Sequence, residues 1–304
     1  MSAASGSRSP LLPLALLAMI GLLWGSFYAL IKIGVTRGLT VSSYLFWFTL
    51  GTAFLLFVMA WLRGARPPLG RAYFRYCAVL GLVRFALANI FFYAVQARLP
   101  VGLMAVVMAI VPIFTYTLAL IGRLERLVWR RTAGILLGFA GVTLIVAPGS
   151  SLPDPALIPW VLLGLVAPFL HALGYLLMSE RSRPDNADSL SLGYGTLLAA
   201  ALWTLPYAVA TGDFRWVAPP FSDGELALMA HMVLAAFNFY AIFELVRISG
   251  PTYMSQANSL SVCFGVLFGI AFFDESHSLF VWAAIPLVLA GVALVNMRDR
   301  ADGK

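Results

Sequence analysis

The residues best suited to chemistry stand where charge is hardest to keep. Arg84 sits in the middle of the apolar run Gly81-Leu82-Val83-Arg84-Phe85-Ala86-Leu87. A guanidinium there can hold a carboxylate or phosphate by two parallel hydrogen bonds in a water-filled cavity. It can equally be structural, paired with Glu244 or a backbone carbonyl, or reach out of the membrane if its helix starts later. His171 lies mid-run too, on one helical face with Pro168, Tyr175 and Met178. Proline removes a backbone donor and loosens the helix beside it. The imidazole could bind substrate, carry a coupling proton, or only bridge packed helices.

Further polar residues fall at helical spacing. His231 and Asn238 are seven apart and share a face, with Glu244 beyond them. Glu244 reads as a group about one turn from a helix end, either reaching the surface beside Arg247 or carrying a coupling proton. Thr252, Gln256, Ser259 and Cys263 form one stripe, with Asn258 and Ser261 on another. Such a run lines a hydrated path or a packed interface. Trp24 and Tyr28 could stack on an aromatic or cationic ligand or serve packing. Lys32 follows at the same spacing and is expected to extend to the membrane surface. At 100° per residue, Arg84 shares a face with Ala88 and Phe91, whereas Asn89, Tyr93 and Gln96 lie nearly opposite.

These side chains need a scaffold made for lipid. Of 304 residues, 61% are hydrophobic and 11% charged. A soluble domain carries about 25% charged residues to hydrate its surface. The net charge of +7 is spread over short clusters between apolar runs, unlike the basic stripe of a nucleic-acid binder; no nucleic-acid partner is expected. Cys77 and Cys263 lie inside apolar runs and read as small buried hydrophobes. No G-x-S-x-G, H-E-x-x-H or Walker loop occurs, and neither cysteines nor histidines have zinc spacing. Neither an enzyme nor a metal or organic cofactor is expected.

Apolar stretches of roughly 20 residues cross a bilayer. Ten are predicted, over 11–35, 41–62, 73–96, 101–122, 132–148, 157–179, 189–211, 225–247, 251–273 and 279–296. The first outlasts a signal-peptide core and is kept as a helix. With the N-terminus inside, Arg8, Arg63 to Arg75, Arg123 to Arg131, Arg181, Arg183, Arg247 and the basic residues from Arg298 onward are cytoplasmic. Only Lys32, Arg37, Arg98 and Arg215 are external. That bias follows the positive-inside rule and puts both ends in the cytoplasm.

The chain also echoes itself. Glu125–Val146 and Glu275–Asn296 match at a constant offset of 150, including Glu125/Glu275 and Ala140-Gly141-Val142/Ala290-Gly291-Val292. A second echo links Phe92-Tyr93-Ala94 to Phe239-Tyr240-Ala241. Five spans per half means that the halves enter the membrane from opposite sides, a common carrier architecture with its site near the midplane. The halves are expected at 11–148 and 157–297, joined by the Pro-, Gly- and Ser-rich segment 148–159. Glu125 and Glu275 then lie at opposite faces, too far out to share a substrate, and are expected to cap helices or bind neighbouring backbone donors.

In Leu23-Trp24-Gly25-Ser26 with Lys32, Leu99-Pro100, Pro112 and the two hairpins ending in Ala-Gly-Val, the chain resembles the drug/metabolite transporter superfamily in its ten-helix, EamA-like branch. Two positions depart from that pattern. Ser42-Ser43 stands where an arginine is frequent, and Leu124-Glu125 replaces Gly-Glu. The resemblance implies a secondary transporter of amino acids, other metabolites or drugs, often an exporter.

The expected molecule is therefore an all-α polytopic membrane protein of two inverted five-helix repeats. It is a non-ATP carrier exporting amino acids or related metabolites by alternating access. The alternatives are efflux of lipophilic cations or drugs, or metabolite uptake. The expected site comprises Arg84, His171, Tyr175, Asn238, Gln256, Ser259, Trp24 and Tyr28, with His171 and Glu244 as possible proton carriers. A bacterial inner membrane, a small-molecule substrate and a monomer or weak homodimer complete the expectation.

Overall fold

The structure is a computed structural model that describes residues 11–64, 68–146, 154–178, 184, 187–254 and 256–296. Within these, the side chains of 11, 145, 146, 240, 243, 244, 246, 247, 249–254, 256, 258, 259 and 296 lie outside the description. The described residues contain helices and no strand. They are α1 (Leu11–Thr36), α2 (Val41–Leu62), α3 (Arg71–Gln96), α4 (Val101–Ile121), α5 (Trp129–Val146), α6 (Pro155–Leu177), α7 (Ser189–Ala210), α8 (Asp223–Met254), α9 (Gln256–Phe273) and α10 (Leu279–Asn296). Six of them, α1 to α4, α6 and α7, are long and apolar enough to cross a membrane. In lipid the backbone must satisfy its own hydrogen bonds, which is why a chain this apolar folds as helices.

Helix ends follow local chemistry. The Thr40 hydroxyl accepts from Ser43 N at the start of α2, and Asp188 accepts from Leu190 N and Ser191 N at the start of α7. Both relieve donors left free in a first turn. Both helices end the same way. Gly64 (φ 67°) and Gly212 (φ 66°) take the left-handed conformation two residues past the last helical residue, where a side chain would be strained. Several boundaries moved, among them the start of α9, at Gln256 rather than 251. α3 begins at Arg71, not 73; α5 begins at Trp129, not 132; and α8 runs to Met254, not 247. Glu244 is thus well inside α8 rather than one turn from its end.

Proline shapes two helices. α4 breaks between Met108 and Val111, just before Pro112. α6 breaks at Leu165, just before Pro168. In each case proline has no N–H for the carbonyl four residues earlier, so that turn opens.

Packing pairs helices at regular separations in the chain. α5 packs on α10, α2 on α7 and α4 on α9. α1 packs on α8 and α9, as α6 does on α3 and α4; α2 meets α8 as α7 meets α3. The two charged hairpins are built alike. Arg123 (φ 53°) and Asp274 (φ 51°) turn the chain, and then Glu125 N and Glu275 N donate back to Ala119 O and Gly269 O.

The α5–α10 contact depends on missing side chains. A Cβ on Gly291 would lie 2.6 Å from Gly134 O and 2.9 Å from Gly138 N. Those atoms are backbone and cannot turn aside. Gly291→Ala is therefore expected to cost about 1–3 kcal/mol. Thermal unfolding in detergent should show a lower transition, and an unchanged one would disprove this close approach.

Candidate functional site

Arg84 occupies a stretch of wide turns, Gly81–Leu87, in which each N–H bonds five residues back. A wider turn advances fewer degrees per residue, so the regular 100° spacing fails there. The guanidinium points to α6. Its Nη1 lies 3.4 Å from His171 Nδ1 and 3.5 Å from His171 O. Its carbon sits 4.1 Å from the centre of the Tyr175 ring and 5.3 Å from that of Phe85. A cation above an aromatic face is attracted by the ring's negative centre. The stem runs over Gly174, where a Cβ would come within 2.6 Å of Arg84 Cβ. Nε is buried with no hydrogen-bond partner, and no carboxylate among the described residues pairs with Arg84. The site thus offers a half-buried cation with unused donor capacity, which suits an anionic group.

The structure joins Arg84, His171 and Tyr175. Tyr28 of α1 lies near Tyr175 and Ser261 and meets Phe92 edge-on at 5.7 Å. Tyr28 therefore belongs to the same neighbourhood. Trp24 does not. It packs on Leu17, Ile20, Ala241, Leu245 and Ala257 between α1, α8 and α9, as the packing alternative requires. The side chains of Glu244, Gln256 and Ser259 lie outside the described residues.

The opposite face of α3 turns to α2, which in turn meets α8. Tyr93 meets Tyr44 at 5.5 Å and Phe48 at 6.3 Å. His231 is wedged between Phe48 (4.1 Å) and Phe27 (4.6 Å), with its Nδ1 3.0 Å from the Tyr44 hydroxyl. Asn238 is buried, and its Oδ1 has no partner among the described residues. The two stripes of α3 meet different neighbours.

The α4 and α9–α10 ends are tied together. The Glu275 carboxylate accepts from Val101 N and from Gly102 N (3.0 Å), capping α4. Gly102 and Gly269 leave it room, since a Cβ on Gly269 would lie 2.3 Å from Glu275 Oε2 and one on Gly102 2.7 Å from His277 Nε2. Lys32 Nζ donates to Leu99 O of the α3–α4 loop and lies 5.9 Å from the Phe273 ring. Glu275 behaves as expected of a cap. Glu125 differs: it pairs with Arg131 of its own hairpin and stays half-exposed.

His277 Nε2 lies 3.7 Å from Glu275 Oε2. Burial holds its imidazole below the usual range, with the Glu275 charge opposing. A histidine kept neutral by the fold stabilises it fully above the unfolded pKa, about 6.5. That contribution fades as pH falls through the lowered folded pKa. Acidification from pH 7.5 to 5 should lower the thermal transition of the wild type more than that of His277→Gln. Equal slopes would rule out this linkage.

A separate cavity of about 480 Å³ opens between the α1–α2 and α7–α8 loops, lined by Thr36, Thr40, Ser42, Tyr207, Asp213 and Arg215. Ser42 donates to Asp213 (2.9 Å), and Arg215 N donates to Ser43 Oγ (2.7 Å). Hydrogen bonds, Thr211 first, keep the Asp213 carboxyl below the usual range. None of the mid-helix residues predicted from the sequence reaches this cavity.

Sequence and structure comparisons agree with this architecture. The model of the EamA-like transporter family matches twice, at residues 11–147 and 158–297. The chain is similar to the uncharacterized inner membrane transporter YedA of Escherichia coli K12, with 29% identity over 94% of this chain and 92% of that one. It is also similar to the uncharacterized transporter YvbV of Bacillus subtilis 168, with 26% identity over 71% and 72%. A solved crystal structure shares the fold, with a TM-score of 0.62, 18% identity and coverage of 98% of this chain and all of the other.

Proposed function

We propose that this chain, which belongs to the EamA-like transporter family, is a secondary carrier that exports amino acids or related small carboxylates by alternating access. Family membership places it among membrane transporters rather than enzymes. The proposal adds substrate class, direction and mechanism. The observation that carries it is Arg84: a half-buried guanidinium amid apolar helices, stacked on Tyr175, with no carboxylate partner among the described residues. Charge at that depth is too costly to persist without a function or a partner. His171, Tyr175 and Tyr28 frame the anion, and Asn238 Oδ1 in α8 is left to accept from the ammonium of an amino acid.

Alternating access is supported by the paired packing of helices, the two like-built hairpins and the twofold family match. These fit two inverted repeats of five helices, with domains at 11–148 and 157–297 and both ends cytoplasmic. In that arrangement the α4 and α9–α10 ends are external. The contacts of Glu275 with Val101 N and Gly102 N, and of Lys32 with Leu99 O, support a closed outer side.

A ligand that binds the folded state raises its thermal transition. Carboxylates and zwitterionic amino acids are expected to raise it for the purified chain, and lipophilic cations are not. Stabilisation by cations alone would replace this reading with drug efflux.

A further inference from the structure

Arg84 has a counterpart. The spacing of 147 residues that relates Phe92-Tyr93-Ala94 to Phe239-Tyr240-Ala241 also places Arg84 on His231, Phe27 on Gly174 and Tyr28 on Tyr175. The contacts obey the same relation. Arg84 of α3 rests on Gly174 of α6, and His231 of α8 rests on Phe27 of α1. The two places are filled differently. Gly174 has no side chain, so the arginine stem lies in that space and its Nε has no partner. Phe27 instead covers one face of His231, Phe48 stacks on the other, and the Tyr44 hydroxyl takes Nδ1. His231 is only 3% exposed.

We propose that the core holds two quasi-equivalent polar positions, of which only Arg84 binds an anion, and that Gly174 and Phe27 determine specificity by opening the first and plugging the second. The inference rests on the reading of Arg84 as an anion site. Its consequence is a substrate with one anionic group: a dianion would find one cation, while its second charge would meet an aromatic wall at a cost in desolvation.

The test uses the full chain in detergent, phenylglyoxal as the arginine reagent and benzoate as the probe, with modification of each arginine read by peptide mass spectrometry. Benzoate should slow modification of wild-type Arg84. A shift of the guanidinium by about 1 Å can cost up to a hundredfold in a positioned interaction. Gly174→Ala is therefore expected to weaken the protecting power of benzoate by about tenfold or more. In Phe27→Gly/His231→Arg, benzoate should protect the introduced arginine as well as Arg84. That double variant carries the test if Gly174→Ala does not fold. If benzoate fails to protect wild-type Arg84, the anion site itself is wrong. If it protects Arg84 equally in the wild type and in Gly174→Ala, or fails to protect the introduced arginine in a folded double variant, the anion site stands and the present inference is overturned.

Discussion

Arg84→Ala should raise the concentration of a carboxylate substrate needed for half-maximal transport by about 30-fold or more. The estimate follows from the cost of truncating one partner of a buried, hydrogen-bonded charge pair, about 2–5 kcal/mol. The maximal rate should fall less than the affinity, since the helices that move are untouched. Arg84→Lys separates charge from shape. Its methylene stem still fits over Gly174, but the planar fork and the stacking on Tyr175 are lost. It should recover only part of the affinity. Equal half-saturation in wild type and Arg84→Ala would remove the anion-binding role and leave Arg84 as a structural partner of the His171 carbonyl.

The second large effect is expected at Glu275. Its carboxylate satisfies two backbone donors at the start of α4, across the seam between α4 and the α9–α10 hairpin. Losing a capping acceptor costs about 0.5–2 kcal/mol. On the proposed reading, in which this contact closes the outer side, its loss should favour the open state, by a factor of about 5–30 for one to two kcal/mol. Gln96 lies fully buried near that end of α3, close in sequence to the Leu99 carbonyl that Lys32 holds. A cysteine replacing Gln96, in a background without Cys77 and Cys263, reports the opening. An impermeant maleimide applied outside should label it about tenfold faster when Glu275→Ala is added. An unchanged rate would show that Glu275 caps a helix without gating access.

The membrane class, the helices and the polar residues of the site were legible because lipid leaves few choices. An apolar run of about 20 residues must be a helix, and a charge inside it must be accounted for. The proximity of Arg84 and His171, 87 residues apart, was not legible; nor was the widened turn at Gly81–Leu87, since hydrophobic periodicity assumes regular helix. The glycine at 174 stands next to Tyr175 in sequence and gave no signal. Its meaning appears only when α3 lies against α6. The acceptor of Lys32, the Leu99 carbonyl 67 residues away, was not legible either, because it is supplied by the α3–α4 loop. Trp24 and Tyr28 share a helical face yet separate in the fold, Trp24 into an apolar cluster and Tyr28 toward Tyr175. Spacing fixes direction within a helix, while neighbours decide what that direction meets.

We propose that this chain moves a small carboxylate by exchanging access between two sides, without ATP. Counterflow in proteoliposomes tests it most directly. Vesicles holding the purified chain are loaded with unlabelled amino acid, diluted into a trace of the labelled compound, and compared with empty vesicles and with Arg84→Ala. Label should accumulate transiently above equilibrium for at least one amino acid or related carboxylate, with no nucleotide present and with a strong loss in Arg84→Ala. Counterflow confined to cationic compounds, or no exchange of any compound across the panel, would contradict it.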